Sequence, residues 1–536
     1  MAPYSGATGI DVDLEHTITS IETAVHSAAI MAIARTRGNY SAHYAPKLVR
    51  LAISLLTGGE WAAVPTDKDG GFALVQKHIL HLLAVRAFNH NYVEVSTQSI
   101  HIENICDQYT KLCGRISKFH RDPSLLKVLL ADMHRCGTAG LVCKLLLQLK
   151  THKEPGSVKA RNVHATVRHP FAPLGKFLSM KLRTYLNHKN HLVKDSKDLL
   201  RKLQHYRFPE GSVLMSADIA DFFMTGDHMY LSKHASGPFD NADERKLYQD
   251  VILFLCYHEY IGSDTINAAG RRRVWHVICG SGMGCNFSSE VSDTAFYFGG
   301  ERRFVLNQAI RTRFHVLAYF RFRDDILAVV QRVDGSTVKF VEAWRSHLRI
   351  TECAWKLEKW QISSVGLNFL DVNLFFDNGR LQSRPYIKAT SLGIPLSEGS
   401  AHQSSVHCAW PKAMLKRYAT LSSHRHYYEV AKAMLMTRLC KYGASLKLLI
   451  DIDQYNPYKK SSSSSRVDAR NVMWWSMPWH PTWQNASFNK CISDCCEQPR
   501  IRKFLTTANM EPVTMRVAWS LSGKHLFSVL RLIQND

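Results

Sequence analysis

Apolar and polar residues alternate with period two in the middle of the chain, and this pattern predicts β-strands. "SVLMSADIADFF" predicts a strand that leads into acidic residues, and "YFRFRDDILAVV" (residues 319–330) predicts a β-hairpin with two acids at its tip. "VGLNFLDVNLFFDNGRLQSRPYI" predicts two more strands about Asn378 and Gly379, because Asn-Gly is a strong signal for a hairpin turn. Between these regions, "RRVWHVI" predicts a strand that passes through a glycine-rich turn into a helix, "SSEVSDTAFYF".

Helical spacing dominates the first part of the chain. Residues 1–145 contain "ITSIETAVHSAAIMAIARTR" and "SLLKVLLADMHRCGTAGLVCKLLLQL", which predict a mainly helical region without evident chemistry. Residues 150–176 are basic and are interrupted by a Pro155-Gly156 turn signal, and "KFLSMKLRTYLNHKN" then predicts a helix. Near the end, the serine run at 459–466 is typical of a flexible linker, and "GKHLFSVLRLI" predicts a last helix.

The charge balance indicates a polyanionic partner. Lys and Arg number 68 against 45 acids, a formal charge of +23, and the basic residues are spread along the chain, as on a long charged surface or channel. No apolar run approaches the roughly 18 residues of a membrane span, and the first residues lack the apolar segment of a secretory signal. Nucleic acid is therefore favoured over membrane. The 13 cysteines include no CxxC pair, and we expect them to be reduced in an intracellular protein.

Three aspartates are the candidate catalytic residues. Asp324 and Asp325 are adjacent in the predicted hairpin, and two neighbouring carboxylates repel unless a cation or water separates them; a solvated turn is the simpler explanation of the pair alone. Phosphoryl transfer to a nucleotide needs two divalent cations about 4 Å apart, and Mg²⁺ prefers oxygen ligands such as carboxylates. Asp218, at the end of a predicted strand, and Asp324 could converge on such a site.

Several motifs together resemble those of one protein family. "SADIADFF", "GSGMGCNFSS", "FRDD" and "FLDV" follow the order and spacing of the palm motifs of reverse transcriptases. "LKTHKEPGSVKARNV", "GSAHQSSVHCAWPKAMLKRYATLSSH" and "RVAWSLSGKHLFSVL" resemble the fingers, thumb and closing segments of Penelope-like retroelement reverse transcriptases. The resemblance runs from about residue 145 to 531, and residues 1–140 fall outside it.

The resemblance implies an α+β right-hand polymerase with fingers, an antiparallel-sheet palm and a thumb, preceded by a helical N-terminal region. The implied boundaries are 1–140 for the N-terminal region, 141–210 for a fingers-like segment, 211–390 for the palm with parts of the fingers, 391–458 for the thumb and 459–536 for a linker and C-terminal subdomain. The implied activity is RNA-directed DNA synthesis by two-metal nucleotidyl transfer.

The resemblance also assigns roles to the three aspartates. Asp218 and Asp324 would be the two carboxylates that bind Mg²⁺ or Mn²⁺, and Asp325 would complete the catalytic set.

Five further residues would contact the nucleotide. Lys153 and Arg161 would hold the triphosphate, where negative charge develops during transfer. Phe223 would exclude a ribose 2′-hydroxyl by packing on C2′, and Gly282 and Gly284 would let the backbone approach the template and incoming base.

The implied partners are an RNA template, a DNA primer end and deoxynucleoside triphosphates, in a nuclear protein. Relatives commonly carry a GIY-YIG endonuclease after the polymerase part. Here only "RLIQND" follows the closing segment, so we expect the chain to lack that nuclease and to use existing DNA ends or a partner nuclease.

Other functions compete with this assignment. The family usually has Tyr at Phe322 and a small residue at Arg323, so a catalytically weakened, nucleic-acid-binding relic is one alternative. An intron maturase-type reverse transcriptase is another, and an RNA-dependent RNA polymerase is a third, against which the ring of Phe223 argues.

The remaining candidates are weaker. Lys356 and Lys359 lie where polymerases often carry a general acid for the pyrophosphate leaving group, although a solvated helix face is favoured, and Asp221 is expected to be structural. For His402, His407 and Cys408 we expect packing rather than a metal site. The tryptophans at 474–483 are expected in a core rather than stacked on bases.

Overall fold

The computed structural model describes most of the chain from residue 59 onward. The described residues are 59–67, 72–150, 159–166, 169–263, 273–333, 335–387, 396, 404–458, 472–478, 494, 497–499, 502–503 and 514–520. Lys153, His402, the serine run at 459–466 and the last predicted helix lie outside the described residues. The chain forms two compact units, residues 58–393 with 420–431, and residues 1–57 with 394–419 and 432–536.

The described residues contain both strands and helices, each kind numbered in chain order. The strands are β1 Trp61–Pro65, β2 Phe72–Gln76, β3 Tyr92–Val95, β4 Val142–Leu149, β5 Ala160–Ala165, β6 Ser212–Ile219, β7 Tyr260–Gly262, β8 Val274–Val277, β9 Val316–Phe322, β10 Asp325–Gln331, β11 Leu357–Ser363, β12 Leu367–Phe369, β13 Val372–Asp377, β14 Arg380–Pro385, β15 Val472–Pro478 and β16 Thr514–Ser520. The α-helices are α1 Lys77–Ala87, α2 Ile102–Phe119, α3 Pro123–Leu129, α4 Thr138–Leu141, α5 Ala172–Leu186, α6 Ser196–Leu203, α7 His228–Ala235, α8 Ala242–Tyr257, α9 Ser288–Phe296, α10 Gln308–Arg313, α11 Ser336–Ile350, α12 Ser404–Leu421, α13 Arg425–Lys441 and α14 Leu446–Gln454.

A four-stranded antiparallel sheet, here called the central sheet, has the strand order β11-β6-β10-β9. Its two inner strands are buried on both faces, which explains their nearly continuous apolar sequences. One face, with Met215 and Ala328, packs into the largest core among helices α5, α7, α8, α9 and α11. The other face, with Leu214 and Leu327, packs against the small antiparallel sheet β12-β13-β14. The α+β class, and an antiparallel sheet where the palm was expected, are confirmed.

A second sheet of mixed direction has the order β3-β8-β7-β4-β5. In it β4 runs parallel to β7, and β5 pairs antiparallel with β4. The helical spacing predicted over "LVCKLLLQL" is wrong, because Val142–Leu149 is a strand whose side chains alternate between buried and exposed. A short apolar run does not distinguish a strand from a buried helix by periodicity.

The described part of the N-terminal region is mainly helical, as predicted, but it also contains strands. It contains the antiparallel pair β1 and β2 and the strand β3, in addition to α1, α2, α3 and α4. The sequence between β1 and β2 includes Asp69-Gly70, a hairpin signal that the helical prediction overlooked.

The sequence led us to expect that all cysteines are reduced, but two of them are joined in a disulfide. Cys106 and Cys136 form a disulfide that joins α2 to the short 3₁₀ turn Met133–Arg135. The reason is tertiary: α3 folds back along α2 and brings two cysteines together that have no characteristic spacing in the sequence.

The other local predictions around the central sheet are confirmed, including the strand β8, the helices α5 and α9, and both hairpins. Asn378 and Gly379 both have positive φ, at 49° and 70°, as a two-residue hairpin turn requires.

In the unit that holds most of residues 394–536, Lys412 pairs with Asp451 at 2.8 Å and Lys432 with Asp453 at 2.9 Å, and β15 and β16 are parallel. Among the described residues, no helix is both long and apolar enough to span a membrane.

Candidate active site

Asp218 and Asp325 face each other across the end of the central sheet. Asp218 is the penultimate residue of β6 and Asp325 the first of β10, and the antiparallel register places them directly opposite. Opposed residues of an antiparallel pair lie on the same face with Cα atoms about 4.5–5.5 Å apart. Asp324 precedes Asp325 in the turn, and its carbonyl oxygen accepts a hydrogen bond from the Ile219 N–H at 2.8 Å. The fold thus brings together the three acids singled out in the sequence.

The turn between β9 and β10 has only two residues, Arg323 and Asp324. Arg323 has φ of +54°, a conformation that is uncommon for a non-glycine residue and costs of order 1–3 kcal/mol. Its guanidinium forms an ion pair with Asp293 of α9 and lies 3.8 Å from Glu290. These contacts hold the turn and draw the Arg323 side chain onto α9.

Opposing charges surround the Asp324 carboxyl. Its pKa is raised above the ordinary value, mainly because the surrounding protein limits hydration of the charged form and also because Asp218 is nearby. The positive charges of Arg161 and Lys359 act in the opposite direction. The site therefore concentrates negative charge, and two cationic side chains, Arg161 and Lys359, lie close enough to interact with it electrostatically.

Lys359 is a site residue that the sequence underrated. It lies in β11, where the register with β6 shifts between Glu358 and Gln361, and has φ of +52°. The irregular backbone directs its ammonium group to the Asp218 carboxylate, with which it forms an ion pair. This hydrogen bond raises the pKa of Lys359. The favoured alternative, a solvated helix face, is wrong because the segment is a strand.

Lys356 has a different position from Lys359. It immediately precedes β11 and is exposed, and its carbonyl oxygen accepts a hydrogen bond from the Ala220 N–H at 2.9 Å. Lys356 therefore anchors the turn after β6 through its backbone.

Arg161 lies on β5, in the mixed sheet. It forms an ion pair with the buried Asp67 at 3.1 Å, yet its side chain stays 42% exposed. Because its charge also affects Asp324, Arg161 connects the mixed sheet electrostatically to the acids. Lys153, predicted to act beside it, falls outside the described residues.

Phe223 lies next to the glycine-rich turn. Its ring packs edge-to-face on Phe222, with centroids 5.2 Å apart, and is partly buried against the largest core. Its carbonyl oxygen accepts a hydrogen bond from the Ser281 N–H at 2.9 Å. Asp221 has φ of +42°, and its carbonyl accepts from the Met224 N–H at 2.8 Å. This backbone contact fits the structural role expected for Asp221.

Contacts within the protein require glycine at positions 282 and 284, and the sequence did not reveal these contacts. Their φ values are +76° and +108°. A Cβ atom on Gly282 would lie 2.3 Å from the Glu259 carboxylate, and one on Gly284 would lie 2.7 Å from the His164 carbonyl oxygen. The turn therefore packs directly on β5 and on the residue that precedes β7.

A buried ion network beneath the acids was missed in the sequence. Arg321 is fully buried, donating to Asp293 at 2.6 Å and to Glu301 at 2.7 Å, and Tyr319 donates to Glu301 at 2.6 Å. Burial opposes the charge of Arg321, but the carboxylates outweigh it and raise the pKa of Arg321. The signal was present in "YFRFRDD", where Arg321 occupies an inward-facing position of a core strand.

The acids suit a divalent cation. Asp218, Asp324 and Asp325 supply oxygen donors at one edge of a sheet, and the pKa of Asp324 is raised mainly by burial and also by the negative charge of Asp218. Oxygen donors and excess negative charge are what Mg²⁺ and Mn²⁺ require.

Two weaker candidates add nothing to this site. Cys408 is an exposed free cysteine on α12, and His407 precedes it on the same helix. Trp474 and Trp475 lie on β15, and the rest of that tryptophan group lies outside the described residues.

Comparisons with known proteins identify structural but not sequence relatives. No protein-family model matches the chain, and no curated protein matches it. It is similar to telomerase from Candida albicans in complex with a TWJ fragment of telomeric RNA, at 11% identity and a TM-score of 0.47 over 86% of this chain and 74% of that chain. Apo telomerase from Candida tropicalis matches at 11% identity and a TM-score of 0.42, over 89% and 76%. The BmCPV RNA-dependent RNA polymerase in its quiescent state matches at 12% identity and a TM-score of 0.37, over 63% and 31%. All three TM-scores lie below 0.5.

Proposed function

We propose that this chain is an RNA-directed DNA polymerase that extends a DNA 3′ end on an RNA template. The observation that carries the proposal is the convergence of Asp218, Asp324 and Asp325 at one edge of the central sheet, with Lys359 on Asp218 and the charge of Arg161 nearby. Two cationic side chains beside a cluster of carboxylates suit a reaction in which a polyanionic substrate binds next to metal ions.

Asp218 and Asp324 would hold the divalent ions, and Asp325 would complete the negative site. When bound, Mg²⁺ or Mn²⁺ activates the attacking 3′-hydroxyl and neutralises the charge on the triphosphate. Arg161 has 42% of its side chain exposed, and it would bind phosphate oxygens electrostatically; the same role is proposed for Lys153. Lys359 carries a proton at Nζ beside Asp218 and can donate it to an anionic leaving group.

The choice of deoxynucleotides rests on Phe223. Its ring is held by Phe222, and its carbonyl is tied to the glycine-rich turn, so the ring has limited freedom to yield to a 2′-hydroxyl. This favours a DNA polymerase over an RNA polymerase. Membership of the Penelope-like group, and a nuclear location, rest on the sequence motifs alone.

A catalytically weakened relic is the second candidate, and Arg323 was its main support. Arg323 forms an ion pair with Asp293 of α9. Because its bulky side chain is bound there, Arg323 is compatible with an active site, which favours an enzyme over a relic.

The test is primer extension on an RNA template with a DNA primer and Mg²⁺ or Mn²⁺, comparing the parent with Asp324→Asn. We expect the variant to lose at least about 100-fold in rate, because an amide is a poor ligand for the metal. Asp377→Asn is the matched control, since Asp377 is an exposed acid at the β13–β14 turn, and it should keep the parental rate. Extension by Asp324→Asn at the parental rate would refute the site. Preferential use of ribonucleotides by the parent would identify an RNA polymerase instead, and RNA binding without extension would identify a relic.

A further inference from the structure

Behind the glycine-rich turn lies a buried cluster of three different metal-ligand side chains, distinct from the acidic site. His164 is on β5, Glu259 immediately precedes β7, and Cys285 is in the turn itself. One ligand atom from each lies within 4.8 Å of the other two, and the residues are only 1%, 4% and 7% exposed. Imidazole, carboxylate and thiolate are the ligands that zinc uses in proteins.

The contacts within the cluster already have the arrangement of a ligand set. Glu259 Oε1 lies 2.5 Å from His164 Nδ1 and accepts a hydrogen bond from Cys285 Sγ at 2.9 Å. The other ring nitrogen of His164, Nε2, lies 2.9 Å from the Tyr92 hydroxyl. A zinc-bound histidine characteristically has its second nitrogen held by a hydrogen bond in this way.

One polar atom of the cluster has unused bonding capacity. Glu259 Oε2 is buried and has no hydrogen-bond partner within the part of the chain that the structure describes. Leaving a buried carboxylate oxygen without a partner is unfavourable, and coordination of a cation would remove that cost. The backbone of Gly282 packs directly against this carboxylate, and this contact restricts where the Glu259 side chain can lie.

Space for one further ligand adjoins the cluster. A cavity of about 20 Å³ is lined by Glu259, Cys285, His258 and Cys143, among others, and Nδ1 of the buried His258 also has no hydrogen-bond partner among the described residues. A volume above roughly 10–15 Å³ holds one water molecule. Tetrahedral zinc with three protein ligands takes a water as its fourth ligand.

We propose that His164, Glu259 and Cys285 bind a zinc ion that fastens the glycine-rich turn to β5 and β7. Zinc would replace the protons now shared within the cluster, and the ligand atoms would move apart to the roughly 3.3–3.8 Å that tetrahedral coordination requires. The thiolate and imidazole favour zinc over Mg²⁺, which prefers oxygen ligands. This site is independent of the polymerase proposal, because none of its ligands belongs to the acidic site.

The first experiment measures zinc in the full-length chain, produced in zinc-supplemented medium without a histidine tag and dialysed against metal-free buffer. We expect about one tightly bound zinc per chain by inductively coupled plasma mass spectrometry. Cobalt added to the zinc-depleted protein should give the near-ultraviolet charge-transfer band of a cobalt–thiolate bond. Absence of both signals from the parent protein would overturn the proposal, whatever the variants do, and would leave a hydrogen-bonded cluster.

Variants then locate the ion. Cys285→Ser and Glu259→Gln should lose zinc and the cobalt band, whereas Cys256→Ser should keep both. Cys256 is the matched control because it is a buried, free cysteine that is not part of the ligand group. Cys491, Cys495 and Cys496 are closely spaced in the sequence and are alternative thiolate ligands. A variant with Ser at all three positions should also keep the zinc. Zinc that survives Cys285→Ser, or that disappears from the triple variant alone, would place the metal elsewhere and refute the assignment.

Discussion

At the residue scale, Asp324 combines a proposed catalytic role with an unfavourable charge. Its pKa in the folded chain is raised, first by restricted hydration and then by Asp218. A carboxyl with a raised folded pKa binds more protons when folded than when unfolded, where its pKa is about 3.9. The stability it contributes therefore falls as the pH rises from that value to the raised one, and the deficit persists at higher pH.

From this we expect Asp324→Asn to have a higher Tm than the parent at pH 7 in EDTA, because the amide removes the repulsive charge. The advantage should vanish below about pH 3.5, where the aspartate is protonated in both states. Thermal unfolding between pH 3 and 8 measures this, with Asp377→Asn as the control for loss of an exposed charge. Equal Tm values for Asp324→Asn and the parent at pH 7 would contradict the electrostatic description of the site.

The ring of Phe223 supports a second prediction at this scale. Phe223→Val shortens the side chain where the 2′-hydroxyl would clash, so incorporation of ribonucleotides relative to deoxyribonucleotides should rise at least about tenfold, since one steric contact is worth roughly 1–3 kcal/mol. Single-nucleotide extension with each substrate measures the ratio, and retained deoxynucleotide incorporation shows that the variant is folded. An unchanged ratio would assign sugar selection to another residue.

At the element scale, Arg321 joins β9 to α9 and to the π-helical segment Tyr297–Glu301 that continues it. Removing one partner from a buried ion network leaves the others uncompensated, which costs about 3–5 kcal/mol. We expect Arg321→Met to lower the free energy of unfolding by this amount, as measured by urea denaturation. Arg323→Met, which removes a second and partly exposed partner of Asp293, should cost clearly less. Similar losses of unfolding free energy in both variants would show that the burial of Arg321 does not determine the cost of removing it.

The glycine-rich turn gives a prediction with a matched pair of glycines. Gly282 and Gly211 have similar φ values, +76° and +78°, but a Cβ atom would meet the Glu259 carboxylate at Gly282 and nothing within 4 Å at Gly211. Gly211→Ala should cost only the backbone strain, about 1 kcal/mol. Gly282→Ala should cost more and should also reduce primer extension. Equal stability of the two variants, by urea denaturation, would mean that the turn does not depend on its contact with Glu259.

The reliability of sequence-based prediction also differs between elements. The two hairpins were predictable because each combines alternation with a local turn signal, the acid pair or Asn378-Gly379. The strand β4 was mistaken for helix because its apolar run lacks such a signal, and because its parallel partner β7 is remote in the sequence.

At the scale of the whole molecule, the formal charge of +23 implies that the proposed RNA binding would have a strong electrostatic component. Each phosphate contact releases counterions, so several contacts make affinity fall steeply with salt. We expect the affinity for single-stranded RNA to decrease at least about tenfold between 50 and 200 mM salt. Fluorescence anisotropy of labelled RNA measures this, and Asp324→Asn, which retains the basic surface, should show a similar slope. An affinity independent of salt would contradict a role for the basic surface.

The sequence by itself determined which acids, Asp218, Asp324 and Asp325, stand at the ends of these strands and which elements carry them, because residue type, short-range periodicity and turn signals are local properties. Only the tertiary structure decided that Lys359 contacts Asp218, that Arg321 is neutralised by Asp293 and Glu301, and that Cys106 meets Cys136. The same holds for His164, Glu259 and Cys285. These contacts join segments far apart in the chain, and their residues show no characteristic spacing. They exist because sheet register and helix packing bring the segments together.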